Sequence, residues 1–190
     1  FDRMGAVYSR LAFDTDRRHH KKEFARSVAV YRDLTGAVGG QCAFWDQLCS
    51  YGDDERENFR RCWERVPRDF HSFGRLSSFS YLEYLRIIGL PIDCDQLFLD
   101  DMEGSKSHRN GLAKVLGRDD LDWHSSNPTF EGYSTPLLTW LKQEGQNLLE
   151  EAQARFASEP FARDVSYFTL ESTLCTYKGW HRPNRRYPNV

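Results

Sequence analysis

Four stretches of this chain concentrate side chains able to move protons, hold anions or attack an electrophile. In Phe73–Arg86 a carboxylate and a guanidinium, Glu83 and Arg86, stand at i,i+3 on the face that also carries Phe79 and Leu82. Charge beside an apolar stripe is costly unless it is paired or useful. The pair therefore reads either as a structural ion pair or as a general base with its companion cation. In Phe98–Leu112 the acids Asp100, Asp101 and Glu103 precede a Gly-Ser turn and a short helix whose first turn holds Lys106, His108 and Arg109. Helix N-termini present N–H groups and the positive end of the dipole, which suits phosphate. Hydroxyls of Ser105 and Ser107 and the cations Lys106, His108 and Arg109 add charge-assisted donors there, so an anion pocket is expected, with a capped surface turn as the alternative. The pattern G-x-x-x-x-G-K-[ST] is absent, so this is no P-loop.

Two further stretches lie towards the end. Asp120 and His124 at i,i+4 have the spacing of two metal ligands, or of a base and its orienter. No convincing third ligand lies nearby, and neither a metal nor another cofactor is expected. Leu170–Pro188 carries Glu171, Cys175 and Lys178 into a strap with Arg182, Arg185, Arg186 and Tyr187. Arg interleaved with aromatic rings suits nucleic acid, because Arg meets phosphates while rings take bases. Cys175 reads as a buried helical thiol or, alternatively, as a nucleophile.

Helices must position these groups. Phe24, Val28 and Tyr31 recur at helical spacing over 22–34, and the Gly36–Gly40 run stops them. Phe44, Trp45 and Leu48 mark a second helix over 42–51. Asp53 is expected to cap a third, carrying Phe59, Cys62, Trp63 and Val66 and ending before Pro67. A fourth spans 78–88. A long one runs from Thr135 to about Ala157, with Leu137, Leu138, Leu141, Leu148 and Leu149 inward, and a last from about Arg163 to Tyr177. Strand alternation is scarce. The fold class is all-α, a single compact multi-helix domain over 1–190 made of a helical N-terminal part, 1–70, and a core, 71–190, with its basic strap.

Composition narrows the function classes. The chain has 190 residues, 26 Lys+Arg against 28 Asp+Glu and a formal net charge of −2, with 39% hydrophobic residues: a globular chain, not a disordered one. No apolar run approaches the ~20 residues of a membrane span, so no membrane partner is expected. The start, Phe1-Asp2-Arg3-Met4-Gly5, lacks the apolar core of a signal peptide. Five scattered Cys without a C-x-x-C argue against zinc ribbons and for reduced thiols. Charge is segregated: five bases and one acid over Arg17–Arg26, five acids and no base over Asp93–Glu103. Basic patches on a near-neutral chain still suit a polyanion, although such runs are also found as plain solvated faces.

Taken together, Gly74, Phe79, Tyr81 and Glu83, the run Gly-Ser-Lys-Ser-His-Arg-Asn-Gly-Leu over 104–112, Glu171-x-x-x-Cys175-x-Tyr177-Lys178, and Arg185-Arg186-Tyr187-Pro188 resemble the bacteriophage amino acid:DNA transferases. These are similar to the α-glutamyl/putrescinyl thymine pyrophosphorylases and to helix-hairpin-helix DNA glycosylases. The resemblance covers about residues 70 to 190. It implies hypermodification of thymine in double-stranded phage DNA, in the cytoplasm of the infected bacterium: an amino acid or polyamine displaces phosphate or pyrophosphate from a 5-hydroxymethyluracil. In that reading Glu83 or Asp100 takes the amine proton and Arg86 keeps Glu83 ionised. Cys175 is a candidate for addition to the ring. Ser105, Lys106, His108, Arg109 and Asn110 hold the leaving group, and Lys178, Arg182, Arg185, Arg186 and Tyr187 hold DNA. The Gly-x-Gly hairpin and catalytic Asp pattern of glycosylases are not evident, which argues against base excision. A glycosylase or lyase, and a non-catalytic DNA-binding module using the same patches, are the alternatives.

Overall fold

Apolar stripes at helical spacing become helices throughout, and no strand forms among the described residues. The computed structural model describes residues 23–49, 54–102, 104–122 and 132–180. Seven α-helices lie there: α1 Phe24–Gly36, α2 Gln41–Leu48, α3 Glu55–Asp69, α4 Arg75–Ile87, α5 Lys106–Val115, α6 Thr135–Arg155 and α7 Tyr167–Trp180, with 3₁₀ turns at Asp119–Leu121 and Ala162–Asp164. The chain divides into two compact units, Phe1–Asp93 and Cys94–Val190.

The first unit is built on rings. Phe70 touches Tyr31, Phe44, Trp45, Phe73 and Tyr81, with centroids 5.3–6.2 Å apart, and the edge-on pairs, with Tyr31, Trp45 and Phe73, add to plain burial. Trp45 Nε1 donates to Tyr31 Oη at 3.1 Å. Two expectations shift. The α3 cap is Asp54 rather than Asp53, its carboxylate accepting from Arg56 N at 3.0 Å. The helix also runs past Pro67 to Asp69. Proline forfeits one N–H bond, but the last turn still closes through Phe70 N to Val66 O at 3.0 Å.

The second unit gathers Leu97, Leu99, Leu112, Ala113, Leu121, Leu141, Leu149, Leu170 and Leu174 into one core. Ser134 caps α6 by accepting from Leu137 N, and Pro136 occupies its first turn. Leu141 and Leu149 are buried as the stripe requires, while Leu137 and Leu148 pack against the core half-buried. At Gly111 α5 lies directly against α7. A Cβ there would stand 2.7 Å from the carbonyl carbon of Leu174 and closer still to its oxygen. Glycine is what lets the two helices touch backbone to backbone.

Candidate functional site

The first turn of α5 and the loop before it form a hydrogen-bonded unit. Ser105 Oγ donates to Phe98 O, His108 Nε2 donates to Leu97 O at 2.7 Å, and the Arg109 guanidinium donates to Leu99 O (3.1 Å), Asp101 O (3.3 Å) and Met102 O (2.8 Å). Asp101 Oδ1 accepts from Gly104 N at 2.8 Å. Phe98 has a positive φ of 51°, so the loop doubles back and aims its carbonyls at the helix. Ser105, His108, Arg109 and Asn110 are at most 1% exposed. The guanidinium also lies 4.6 Å from the centroid of Tyr133, whose hydroxyl donates to Leu121 O at 2.6 Å.

Across the Gly111 contact, α7 adds three more polar groups. Glu171 and Lys178 are buried and Cys175 is half-buried. Glu171 and Cys175 are one turn apart, with Lys178 a further turn along, so all three share one face of α7. His108 Nδ1 lies 3.1 Å from Glu171 Oε1. The His108 ring, the Glu171 carboxylate and Cys175 Sγ present donor atoms within 4.8 Å of one another. An imidazole, a carboxylate and a half-buried thiol thus face one another between two helices, the first two screened from water. Such sites strengthen every electrostatic interaction inside them.

The first unit holds a second feature, a cavity of about 310 Å³ walled by Phe24, Tyr31, Phe70, Phe73, Tyr81 and Tyr84, with Ser27, Ser77 and Ser80 among its polar groups. At its edge His71 Nε2 meets Glu23 Oε2 at 2.6 Å, and Ser27 Oγ lies 3.1 Å from His71 O, to which it donates. Burial pushes the Tyr81 hydroxyl well above the usual phenol value. The volume suits a small planar or amino-acid-sized ligand.

Comparison with known proteins decides the family. The chain matches the family described as amino acid:DNA transferase over residues 1–186. The chain belongs to that family. It is 32% identical over 188 residues to a protein named serinyltransferase from Salmonella phage ViI, covering 95% of this chain and 44% of that protein. The chain therefore spans less than half the length of this curated relative. No solved structure matches.

In this amino acid:DNA transferase chain the residues singled out from sequence fall in different places. His108, Glu171 and Cys175 come together. Arg109 lies beneath the loop rather than at its open face, its donors directed to carbonyls, and His108 likewise points inward. Lys106 opens α5 half-buried. Lys178 sits on the buried face of α7, not on a surface strap. Asp100 is exposed and pairs with Lys142 at 2.7 Å. In the first unit Arg86 reaches Asp93 at 3.4 Å, and the half-buried Glu83 is on α4 but not among the residues lining the cavity. Arg182, Arg185, Arg186, Tyr187 and His124 lie outside the described residues. Among those residues no helix is long and apolar enough to cross a membrane. Tyr133, Gly111 and the site role of Glu171 escaped the sequence reading. A glycine inside a helix and a carboxylate on an otherwise apolar helical stripe were the available signals for the latter two.

Proposed function

We propose that this chain transfers an amino acid or another amine onto the phosphorylated or pyrophosphorylated 5-hydroxymethyl group of uracil in double-stranded DNA. Family membership along nearly the whole chain is the observation that carries the reading, and the buried polar face between α5 and α7 supplies chemistry that packing alone does not need. The serinyltransferase relative makes serine the first amine to try. In the step itself the amine nitrogen attacks the exocyclic methylene. The carbon–oxygen bond breaks, the phosphate leaves with the electron pair, and the ammonium proton passes to a carboxylate.

The reading gives that proton to Glu83, with Arg86 holding it ionised, and makes Asp100 the second candidate. The leaving phosphate goes to Lys106 and the N–H groups of the first turn of α5, shaped by the loop that Ser105, His108, Arg109 and Asn110 hold. Arg182, Arg185, Arg186 and Tyr187 meet the DNA, Lys178 being buried on α7, and the setting is the infected bacterial cell.

The test is mass spectrometry of nucleosides from phosphorylated 5-hydroxymethyluracil DNA incubated with the protein and a panel of amines. An amine-bearing thymidine supports the proposal. Tight DNA binding with unaltered nucleosides points to a binding module, and abasic sites point to a glycosylase or lyase. Glu83→Gln keeps shape while removing basicity, and is expected to bind DNA normally but lose about 100-fold or more in rate.

A further inference from the structure

We propose that His108 Nδ1, a Glu171 carboxylate oxygen and Cys175 Sγ form a binding site for a zinc-class divalent ion. The proposal stands on geometry and does not depend on the transfer reaction. Three donor atoms from two helices lie within 4.8 Å of one another. Around a tetrahedral zinc with bonds of ~2.0–2.3 Å, ligand atoms stand roughly 3.3–3.7 Å apart. A small inward adjustment of flexible side chains closes the difference.

The imidazole settles what kind of site this is. Its Nε2 donates to Leu97 O at 2.7 Å, and a carbonyl can only accept, so the proton is on Nε2. In the neutral ring Nδ1 then carries a lone pair, and it faces Glu171 Oε1 at 3.1 Å. Nδ1 is fully buried yet makes no hydrogen bond among the described residues, because the carboxylate stands off the direction a ring N–H would take. A cation between the two would meet both the lone pair and the carboxylate oxygen. An ion placed off the N–O line, towards Sγ, answers both the distance and the angle.

The alternative of a nucleophile–base–acid triad does not fit. In a triad the thiol and the carboxylate address opposite ring nitrogens, so that the acid orients the base. Here the carboxylate addresses Nδ1 while the far nitrogen is held by a backbone carbonyl rather than by the thiol. That is the outer-shell arrangement of a metal-bound histidine. One nitrogen, one carboxylate and one thiolate form a borderline-soft set that suits zinc and excludes magnesium and calcium. Three protein ligands leave the fourth position for water or a reacting group, the pattern of catalytic rather than structural zinc.

The experiment uses the whole chain, stripped with a chelator, dialysed and reloaded with zinc or cobalt(II) alone. Elemental analysis is expected to return one zinc per chain. The cobalt form is expected to show a thiolate-to-metal charge-transfer band with the intense visible bands of a four-coordinate ion. Cys175→Ser, nearly isosteric, should abolish the charge-transfer band and lower zinc affinity by about 100-fold, at the upper end of the losses seen even for supporting groups. Cys42→Ser, at an exposed thiol, should change neither. His108→Gln and Glu171→Gln should lose the ion as well. Should either of these fail to fold by circular dichroism, Cys175→Ser decides alone. Less than a tenth of an equivalent of zinc after reloading, a cobalt spectrum without thiolate character, or unchanged affinity in Cys175→Ser overturns the proposal.

Discussion

Replacing Gly111 by alanine adds one methyl group where α5 meets the α7 backbone. That Cβ would stand 2.7 Å from Leu174 C and 3.1 Å from Leu174 Cα, whereas ordinary van der Waals contact begins at 3.4 Å. The obstacle is backbone, so no side-chain rotation relieves it and α5 and α7 must part by more than half an ångström. Overpacking of a close-packed core costs about 1–3 kcal/mol, and backbone against backbone belongs at the upper end. Alanine returns about 1 kcal/mol through its better helix propensity. The net loss is then about 2 kcal/mol, which lowers the melting temperature by about 4–8 °C in a chain of this size. Parting the helices also pulls His108 away from Glu171 and Cys175, so zinc affinity should fall with stability. Differential scanning calorimetry measures the first and competition with a chromophoric chelator the second. Gly36→Ala is the control, because a Cβ there meets nothing within 4 Å. A Gly111→Ala protein that melts at or above the parent temperature would show that the helix contact is not what fixes this site.

Other expectations follow from single contacts. Arg109→Ala leaves the carbonyls of Leu99, Asp101 and Met102 without their donor and should cost about 3 kcal/mol or more in urea unfolding; an unchanged urea midpoint would contradict the loop-clamp role. Phe70→Ala removes the ring that five others touch and should cost about 3–5 kcal/mol, with a loss below 1 kcal/mol refuting its central place. The bond from Arg68, aided by Arg65, holds the Asp69 carboxyl below its usual range. A depressed folded value contributes stability above the unfolded value, near pH 4, and loses it as pH falls through the folded one. Asp69→Asn should therefore be less stable than the parent at neutral pH, with the gap shrinking in acid; a gap independent of pH would rule this out.

What the sequence could and could not reveal divides along physical lines. The stripes of Leu137, Leu141, Leu148 and Leu149 and of Phe59, Cys62 and Val66 announce their helices, because 3.6-residue periodicity is a local property. Helix ends depended on contest: Asp53 and Asp54 are chemically equal as caps, and it is Asp54 whose carboxylate accepts from Arg56 N. Pro67 broke no helix because it lies in the final turn, where few bonds remain to lose. In the site, the Glu171–Cys175 spacing was visible, but its partner His108 arrives through tertiary packing at Gly111. The inward turn of Arg109 was hidden for another reason. Its partners are backbone carbonyls, which every sequence carries, and the positive φ at Phe98 that aims them has no signature in residue type.

The placement of charge argues for what the second unit is built to do. Surrounding positions on α5 and α7 are filled by Leu112, Ala113, Leu170 and Leu174, each at most 8% exposed, and continuing that pattern would have completed an apolar seam. Instead the seam holds Arg109, His108, Glu171 and Lys178, all at most 7% exposed. Buried ion pairs often contribute less to stability than apolar residues of equal volume, while losing one partner of such a pair is strongly destabilising. Arg109 has a structural account in the carbonyls it clamps. His108 has part of one through Nε2 and the Leu97 carbonyl, but its buried Nδ1 stands 3.1 Å from Glu171 Oε1 without a hydrogen bond, an arrangement suited to gripping a third, positively charged party. A buried Nδ1 facing a carboxylate oxygen without a hydrogen bond is the feature of this seam that a bound cation would use.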